Sequence, residues 1–465
     1  MGYQTMNHDF EQIRVGLPAV IQRYADAGYL TESIRLIDEM MDTVIDEAMK
    51  KSMRAHREMF LRTPMQFPYS VNEVLTEIRK QISDFQESEL KMLMGSGDIN
   101  WRMIDGKPQI FKGFMDNLQD ESAYFKARCG VREEEQKRRN FVEETIAEMQ
   151  AAGGLGYHYK IRFELGPKEA AVSDTDKTLI HIPIPLEAGM IHNVAVEDAS
   201  PEPLGMNGPS DLAGSIAFAG QGMQKCSVTY SFDNYCDYLD LYHAEGSGKE
   251  SAFCLEEQEP HIVFTPYLRS LAETIVKDAV TPLQRARKIY DYITQEVVYA
   301  FVPDYITMEN IPDQCARSLR GDCGVQVLLF ITLCRIAGVP ARWQSGLDCS
   351  DDAPSPHDWA QVYIDPYGWR NVDLTYGGGG RPEWRRQFYF GNTDPLRMIT
   401  CLEFGADHAV EKTFYRADPY DDQYGEIETG SRGLWLSELN YKRQFLEREK
   451  FRDPSYLKRK EEERR

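Results

Sequence analysis

The sequence predicts a multidomain α+β protein, because its hydrophobic pattern changes period twice along a long chain. With 465 residues, the chain is too long for one hydrophobic core. Apolar residues recur at helical spacing before a glycine-rich stretch at 153–156, alternate with polar residues after it, and mix both periods from about residue 260. We therefore expect four parts: a helical region with a short hairpin (1–155), a β-sandwich (156–260), an α+β core (261–440) and a charged tail (441–465).

Charge and hydropathy exclude several classes of protein. The 53 basic and 74 acidic residues give a net charge of −21, which argues against binding to nucleic acid or to anionic membrane surfaces. The sequence contains no run of about 18 apolar residues, so it predicts no membrane-spanning helix. The chain begins without a basic region followed by an apolar stretch, so we expect a cytoplasmic protein, although the sequence leaves open whether a leader has been removed. Nothing in the sequence indicates an oligomeric state.

The cysteines indicate a reducing compartment rather than disulfides or zinc. There are nine of them, an odd number, and no two form a C-x-x-C pair. The common zinc signatures are therefore missing from the sequence. We expect this protein to use neither a metal nor a cofactor.

Helices are predicted through most of the first 155 residues. Apolar residues repeat at spacings of three and four within 7–62 and 70–94, and 131–151 reads as a highly charged helix. Between these segments, Asp105 and Gly106 separate two short apolar stretches, which predicts a hairpin within 99–111.

Strands are predicted next, and a charged segment closes the chain. Residues 157–164, 178–185 and 226–232 alternate apolar and polar side chains and are separated by turn residues, a pattern typical of a β-sandwich. His181 and His192 stand alone, so we interpret both as structural or exposed. From Tyr441 onward, the charged sequence predicts a solvated helix or a disordered tail.

Three helices are predicted at the start of the α+β core, and the third presents a cysteine. Thr-Pro pairs at 265–266 and 281–282 are typical of helix starts. Asp322 is a good N-cap for a helix that opens with Cys323 and ends before Gly338. This helix is apolar all round, which predicts a buried position. A thiol at the positive end of a buried helix is expected to favour the thiolate form.

A histidine and an aspartate follow at the ends of two predicted strands. His357 opens the strand 357–364, and Asp373 closes the strand 369–374. A cysteine nucleophile needs a base, and the base needs an acceptor that fixes its tautomer. A simple four-residue turn would place His357 nearer Tyr376 than Asp373, so we expect a bulge or another offset.

The segments G-D-C-G-V-Q-V-L-L-F-I-T-L-C-R-I-A-G-V-P-A-R, H-D-W-A-Q-V-Y-I and W-R-N-V-D-L-T-Y-G resemble the transglutaminase-like superfamily, over about residues 260–400. The resemblance is to bacterial members with a preceding β-domain. It implies a papain-like core with Cys323 as nucleophile, His357 as general base and acid, and Asp373 as the orienting carboxylate. Asp358 departs from the pattern, because a small residue commonly follows the histidine. A carboxylate that pointed toward His357 would raise the pKa of the histidine, but strand alternation points Asp358 away from His357, so we expect little effect on that pKa.

The resemblance implies thiolate attack on a peptide or protein carboxamide, which gives a thioester. Water is always available to resolve the thioester, so we expect a cysteine peptidase or amidase. Two alternatives remain: a transglutaminase that transfers the acyl group to an amine, and a non-catalytic scaffold that binds peptides. Removal of glycans from asparagine is disfavoured, because members with that activity carry paired C-x-x-C ligands. The backbone N–H of Cys323 is predicted to be one oxyanion donor, and Gln314 is suggested as the second.

Overall fold

The computed structural model shows a mixed α+β chain, as the sequence predicts. It describes residues 10, 13, 15–130, 133–168, 171–208, 211–222, 225–418, 420–421 and 423–464. Residues 1–9, on which the prediction about a leader rests, lie outside the described residues.

Helices form most of the described N-terminal region. Several begin at a side-chain cap. For example, the Ser70 side chain accepts a hydrogen bond from the backbone N–H of Glu73, and the Glu73 carboxylate accepts one from the backbone N–H of Ser70. No helix that the structure describes combines the length and the hydropathy that a membrane span requires. The helices are α1 (Ala19–Asp26), α2 (Leu30–Met41), α3 (Glu47–Gln66), α4 (Val71–Gln81), α5 (Glu87–Ser96), α6 (Phe114–Asp120), α7 (Ala123–Cys129) and α8 (Glu133–Ala152).

The predicted hairpin is confirmed. Strands β2 (Trp101–Ile104) and β3 (Lys107–Ile110) pair antiparallel, and the short β1 (Tyr69–Ser70) joins the other edge of β3. Asp105 and Gly106 form the turn with φ of 46° and 77°. Both residues tolerate such left-handed backbone angles, which is why the Asp-Gly pair predicts the turn.

Long strands follow the glycine boundary, as predicted. They are β4 (Gly154–Pro167), β5 (Lys177–Pro183), β6 (Ile191–Ser200), β7 (Gly205–Met206), β8 (Ser215–Gln221) and β9 (Cys226–Asp237). Strands β4, β9 and β6 belong to one sheet, and β5, β8 and β7 belong to another. Their apolar faces share one hydrophobic cluster, which includes Ile161, Tyr230, Ile180 and Phe218. The two sheets therefore form a sandwich.

The core after residue 260 is organised around an antiparallel sheet and one buried helix. The elements are α9 (Pro266–Val276), α10 (Pro282–Glu296), β10 (Val298–Tyr299), α11 (Ile311–Ser318), β11 (Arg320–Gly321), α12 (Cys323–Ile336), β12 (Ala341–Asp348), β13 (Ser355–Ile364), β14 (Gly368–Val372), α13 (Leu374–Gly377), α14 (Glu383–Phe388), β15 (Phe390–Gly391) and β16 (Arg397–Cys401). The sheet order is β15-β14-β13-β12-β16. Thr265 and Thr281 cap α9 and α10, each followed by proline, as predicted.

Strand β13 separates helix α12 from the sandwich. Ala360, Val362 and Ile364 belong to the hydrophobic cluster that contains α12. Trp359, on the opposite face of the strand, belongs to the cluster that contains the sandwich. Successive residues of β13 therefore meet different parts of the protein.

The C-terminal part of the chain completes both sheets of the sandwich. Strand β17 (Glu426–Thr429) pairs with β5. Strand β18 (Leu439–Phe451) pairs with β4 along its whole length, from Leu439 opposite Pro167 to Phe451 opposite Gly156. The prediction of a solvated or disordered tail is therefore wrong for 441–451. Charged side chains are common on an edge strand, so composition does not distinguish such a strand from a solvated tail. Helix α15 (Ser455–Arg464) follows.

Candidate active site

Cys323 occupies the first position of helix α12, as predicted. Asp322 caps the helix, because its Oδ1 accepts from the backbone N–H of Val325 at 3.1 Å. The hydroxyl of Tyr305 donates to the same oxygen at 2.5 Å. Cys323 is partly exposed and lines a cleft, whereas almost all of the helix behind it is buried. The cap therefore fixes the thiol at the end of a rigid core helix.

The Cys323 thiol bonds to the residue that follows His357. Its Sγ donates to Oδ2 of Asp358 at 3.2 Å, and the described residues show no hydrogen bond between Cys323 and His357. Asp358 is 2% exposed and lies on the strand that packs against α12. Asp358 lies on the face of β13 that packs against α12, so alternation points it away from His357 as predicted, but the sequence did not indicate that its carboxylate would meet the predicted nucleophile.

The surroundings of Cys323 favour the neutral thiol. Burial raises the pKa of Cys323 well above its ordinary value, and the carboxylates of Asp358 and Asp322 raise this pKa further. Burial also raises the pKa of Asp322 to about 6 and that of Asp358 well above its usual range. The predicted preference for thiolate is therefore wrong for this arrangement. A helix terminus contributes only about 0.3–1 kcal/mol, and burial beside carboxylates outweighs it.

His357 and Asp373 lie together beneath the cleft. Nε2 of His357 is 2.7 Å from Oδ2 of Asp373, and their side chains are 6% and 0% exposed. Strands β13 and β14 pair without a bulge up to Ala360 opposite Val372. Asp373 then caps α13 by accepting from the backbone N–H of Tyr376 at 3.0 Å. The offset that brings Asp373 rather than Tyr376 to His357 therefore comes from this helical turn and not from a bulge.

A buried arginine holds Asp373 in its ionised form. Nη2 of Arg397 lies 3.3 Å from Oδ2 of Asp373, and both side chains are fully buried. Burial raises the pKa of Asp373, but His357 and Arg397 lower it by more, so that this pKa lies below its usual value. An ionised Asp373 keeps a proton on Nε2 of His357, which leaves Nδ1 as the basic nitrogen.

Arg397 also connects the site to the N-terminal helices. Asp348 accepts from Nη1 of Arg397 at 3.2 Å and from Nη2 of Arg138 at 3.3 Å. The hydroxyl of Tyr376 donates to Asp348 and accepts from Arg138 at 2.8 Å. The ring of Tyr376 is centred 5.0 Å from that of His357. Burial raises the pKa of Asp348. The positive charges of Arg397 and Arg138 favour the carboxylate and lower this pKa by more, to about 2.

Sequence reasoning missed these supporting residues. Arg138 lies in a charged helix and Arg397 begins a strand, and neither position differs locally from an ordinary arginine. For Asp358 a signal was present: alternation along β13 places it on the same face as Ala360, which packs against α12.

One glutamine does not take the role predicted from the sequence, and another contacts the site without having been predicted. Gln314 donates to the backbone carbonyl of Glu309 at 2.5 Å on α11, outside the lining of the cleft, so its assignment as an oxyanion donor is wrong. Gln423 lines the cleft and donates to Oδ1 of Asp358 at 2.6 Å and to the carbonyl of His357 at 3.1 Å. Gln423 therefore fixes the positions of Asp358 and of the His357 backbone in strand β13. The backbone N–H of Cys323 stays a prediction for the oxyanion donor.

The cleft has a volume of about 1300 Å³ and is lined by both Cys323 and His357. Its walls come from three parts of the chain. The N-terminal region contributes residues within 111–142, and the core contributes residues within 299–306, 322–323 and 348–385. The C-terminal part contributes residues 417, 418, 420, 421, 423, 424, 436, 437, 441 and 448. A molecule that reaches the thiol through this cleft must therefore fit between elements that are distant in sequence.

Comparison with known proteins identifies the segment that contains this site. Residues 269–374 match the transglutaminase-like superfamily. The segment includes Cys323, His357 and Asp373. A search of curated proteins gives no match.

Three solved structures are similar to parts of the chain. A candidate cysteine protease from Cytophaga hutchinsonii is 13% identical with a TM-score of 0.38, covering 63% of this chain and 91% of its own. The periplasmic domain of TgpA from Pseudomonas aeruginosa is 14% identical with a TM-score of 0.26, covering 50% and 91%. A candidate protease from Parabacteroides distasonis is 12% identical with a TM-score of 0.23, covering 52% and 48%. Since these TM-scores are low, we take nothing about the chemistry of this chain from the three proteins. The likeness to the transglutaminase-like superfamily therefore rests on the sequence match over residues 269–374.

Proposed function

We propose that this protein is a cysteine peptidase or amidase in which Cys323 is the nucleophile, His357 the general base and acid, and Asp373 the orienting carboxylate. The observation that carries the proposal is the buried hydrogen bond of 2.7 Å between His357 and Asp373, in a site where Cys323 and His357 line the same cleft. A histidine fixed through one nitrogen by a carboxylate presents the other for proton transfer.

The first half of the proposed reaction forms a thioester. Nδ1 of His357 accepts the thiol proton while Sγ of Cys323 bonds to the carboxamide carbon. The carbon–nitrogen bond then breaks, and His357 returns the proton to the departing nitrogen. Asp373 stabilises the imidazolium that exists between these two transfers. The products are an acyl thioester on Cys323 and ammonia or an amine.

The second half of the proposed reaction hydrolyses the thioester. Water attacks the acyl carbon while His357 removes one of its protons, and the carbon–sulfur bond breaks to release a carboxylic acid. The proton on His357 returns to sulfur and restores the thiol. Before the cycle starts, the thiol must leave Asp358, to which it donates at 3.2 Å. Catalytic hydrogen bonds commonly tighten only when substrate binds.

The walls of the cleft support hydrolysis of small substrates. Residues from the N-terminal helices and from the C-terminal strands enclose the thiol together with the core. Such a cleft suits short peptides or chain ends, and it hinders a folded protein from reaching Cys323. Water reaches Cys323 in a cleft walled by three parts of the chain more easily than a second macromolecule does, so the thioester is expected to partition to water.

A thiol-reactive, peptide-like probe tests the proposal. We expect covalent labelling of Cys323 in the parent protein and no labelling at this position in Cys323→Ala. A glutamine peptide offered with excess labelled primary amine then separates the two reactions. Ammonia release or peptide cleavage should dominate. Dominant amine incorporation would replace the hydrolase proposal with a transglutaminase, and cleavage that persists in Cys323→Ala would exclude Cys323 as the nucleophile.

A further inference from the structure

One wall of the cleft is a short loop that begins beside the start of helix α12. Residues 300–304, here called the wall loop, join β10 to Tyr305, and all but the first of them line the cleft. Strand β10 pairs in parallel with β11, which runs directly into Asp322 and Cys323. The wall loop therefore leaves the sheet next to the proposed nucleophile.

The other end of the wall loop contacts the first turn of α12. The Tyr305 hydroxyl donates at 2.5 Å to Oδ1 of Asp322, the oxygen that also accepts from the backbone N–H of Val325 and caps the helix. The same hydroxyl lies against Gly324, where a Cβ would collide with it. A displacement of the wall loop would therefore move groups on both sides of Cys323.

Asn117 of helix α6 holds the wall loop as a neighbouring strand would. Its Oδ1 accepts from the backbone N–H of Phe301 at 2.7 Å, and its Nδ2 donates to the Phe301 carbonyl at 3.0 Å. One side-chain amide therefore satisfies both backbone groups of one loop residue. Asn117 is 5% exposed, so water has little access to replace these two bonds.

Gln66, the last residue of helix α3, holds the far end of the wall loop in the same way. Its Nε2 donates to Oδ2 of Asp304 at 2.7 Å, and its Oε1 accepts from the backbone N–H of Asp304 at 3.2 Å. Gln66 is 4% exposed, and Lys112 adds a partly exposed ion pair with Asp304 at 3.5 Å. Both amides lie behind the loop, outside the lining that the described residues give the cleft. They can therefore position the loop without touching a substrate.

We propose that Asn117 and Gln66 are positioning residues for the proposed hydrolase. They hold the wall loop, the loop holds Tyr305, and Tyr305 fixes the Asp322 cap and the first turn of α12. Two bonds from a buried amide fix a loop more precisely than apolar packing does, because each bond has a required direction. The N-terminal helical region is thereby part of the active site. The inference rests on the proposed function only in treating Cys323 as the reacting residue.

Amide hydrogen exchange tests this relay without requiring turnover. Asn117→Leu and Gln66→Met remove the amide bonds and keep nearly the same side-chain volume. We expect exchange to rise at least about threefold in the wall loop and also in the first turn of α12, which lies beyond Tyr305. Tyr305→Phe should raise exchange in that first turn and leave the loop protected. Exchange at the parent rate in the first turn of α12 in both amide variants would overturn the proposal.

A double-mutant cycle tests whether the amides act through Tyr305. We expect kcat/KM for peptide hydrolysis to fall about fivefold in Gln66→Met and at least as much in Tyr305→Phe. In the Tyr305→Phe background, Gln66→Met should change kcat/KM by less than about twofold, because the relay is already broken. Gln119→Met is the matched control, since Gln119 lies on the same helix as Asn117 and bonds to Gln81 at 3.2 Å on the surface. Losses that multiply in the double variant would contradict the relay.

Reversing a donor and an acceptor gives a rescue that a merely structural role would not produce. Gln66→Glu removes the donor and places a second carboxylate against Asp304, so exchange should rise and kcat/KM should fall. Adding Asp304→Asn returns a donor to the pair, and both quantities should recover to within about twofold of the parent protein. Gln22→Glu is the matched control, because Gln22 donates to Asp26 at 2.7 Å on the surface. A double variant no better than Gln66→Glu alone would refute the role of Gln66.

The two readouts separate this inference from the proposed function. Exchange that follows the relay, in a protein that hydrolyses no peptide, would refute the hydrolase and support the positioning role. Peptide hydrolysis that is unchanged in both amide variants, with exchange at the parent rate, would refute the positioning role and support the hydrolase.

Discussion

The guanidinium of Arg397 lies 3.3 Å from Oδ2 of Asp373, and neither side chain is exposed to solvent. The same guanidinium contacts Asp348 and Asp394, each at 3.2 Å. One buried cation therefore contacts three carboxylates, among them Asp373, which bonds to His357. Its removal would leave Arg138 beside Asp348 and His357 beside Asp373, but it would take one buried positive charge away from all three acids.

Arg397→Met should destabilise the fold strongly. Breaking a buried ion pair by removing one partner costs about 3–5 kcal/mol, because the remaining charge stays buried. The free energy of unfolding, measured by urea denaturation, should fall by this amount. Arg57→Met is the matched control, since Arg57 pairs with Asp38 on the surface and its loss should cost no more than about 1 kcal/mol. Equal losses in the two variants would contradict the role of Arg397.

Arg138→Ala should reduce the proposed hydrolase activity more than Lys137→Ala. Arg138 reaches from α8 to Asp348 and to Tyr376, whose ring packs against His357, whereas Lys137 is an exposed neighbour on the same helix. We expect kcat/KM to fall about tenfold in Arg138→Ala, which corresponds to the loss of one charged hydrogen bond. The decrease should lie mainly in kcat, since Arg138 acts through Tyr376 and Asp348. An equal effect of Lys137→Ala would point to general electrostatics instead.

Asp358→Asn should make Cys323 react at lower pH. After burial, the Asp358 carboxylate is the largest cause that raises the pKa of this thiol, so an uncharged amide should lower the pKa. The rate of iodoacetamide labelling at Cys323, followed against pH, should show a midpoint shifted downward and a faster rate at pH 7. Asp351→Asn is the control, because Asp351 lines the same cleft but is exposed. A midpoint that stays in place or rises would show that the carboxylate does not govern the thiol.

His261→Gln should remove part of the acid sensitivity of the fold. Burial lowers the pKa of His261 to about 3, and its Nδ1 accepts from the backbone N–H of Ile311. The unfolded chain binds a proton near pH 6.5 while the folded chain does not, so this group stabilises above pH 6.5 and loses its contribution as pH falls toward 3. The slope is about 1.4 kcal/mol per pH unit.

Denaturation curves between these pH values test this expectation. The difference in unfolding free energy between the parent and His261→Gln should narrow as pH falls. His243→Gln is the control, because the His243 side chain is 59% exposed. A difference that is constant with pH would show that His261 titrates normally in the folded protein.

The sequence by itself determined the local elements and the order of the site residues. Asp322 caps the helix that Cys323 opens, Asp105 and Gly106 form a hairpin turn, and alternation marks the long strands after residue 153. Each of these features depends on neighbours along the chain, through hydrogen bonds and periodic burial that a sequence displays directly. The three motifs that resemble the transglutaminase-like superfamily are local in the same sense.

Only the tertiary structure decided which groups surround the thiol and what completes the sandwich. The contacts of Cys323 with Asp358, of Asp373 with Arg397 and of Asp348 with Arg138 join residues 24 to 210 positions apart. The strand from Leu439 to Phe451 reads as a charged tail until β4 lies beside it. Burial and long-range charge depend on the whole assembly of elements. For this reason the helix terminus indicated a thiolate, whereas the folded surroundings of Cys323 favour a thiol.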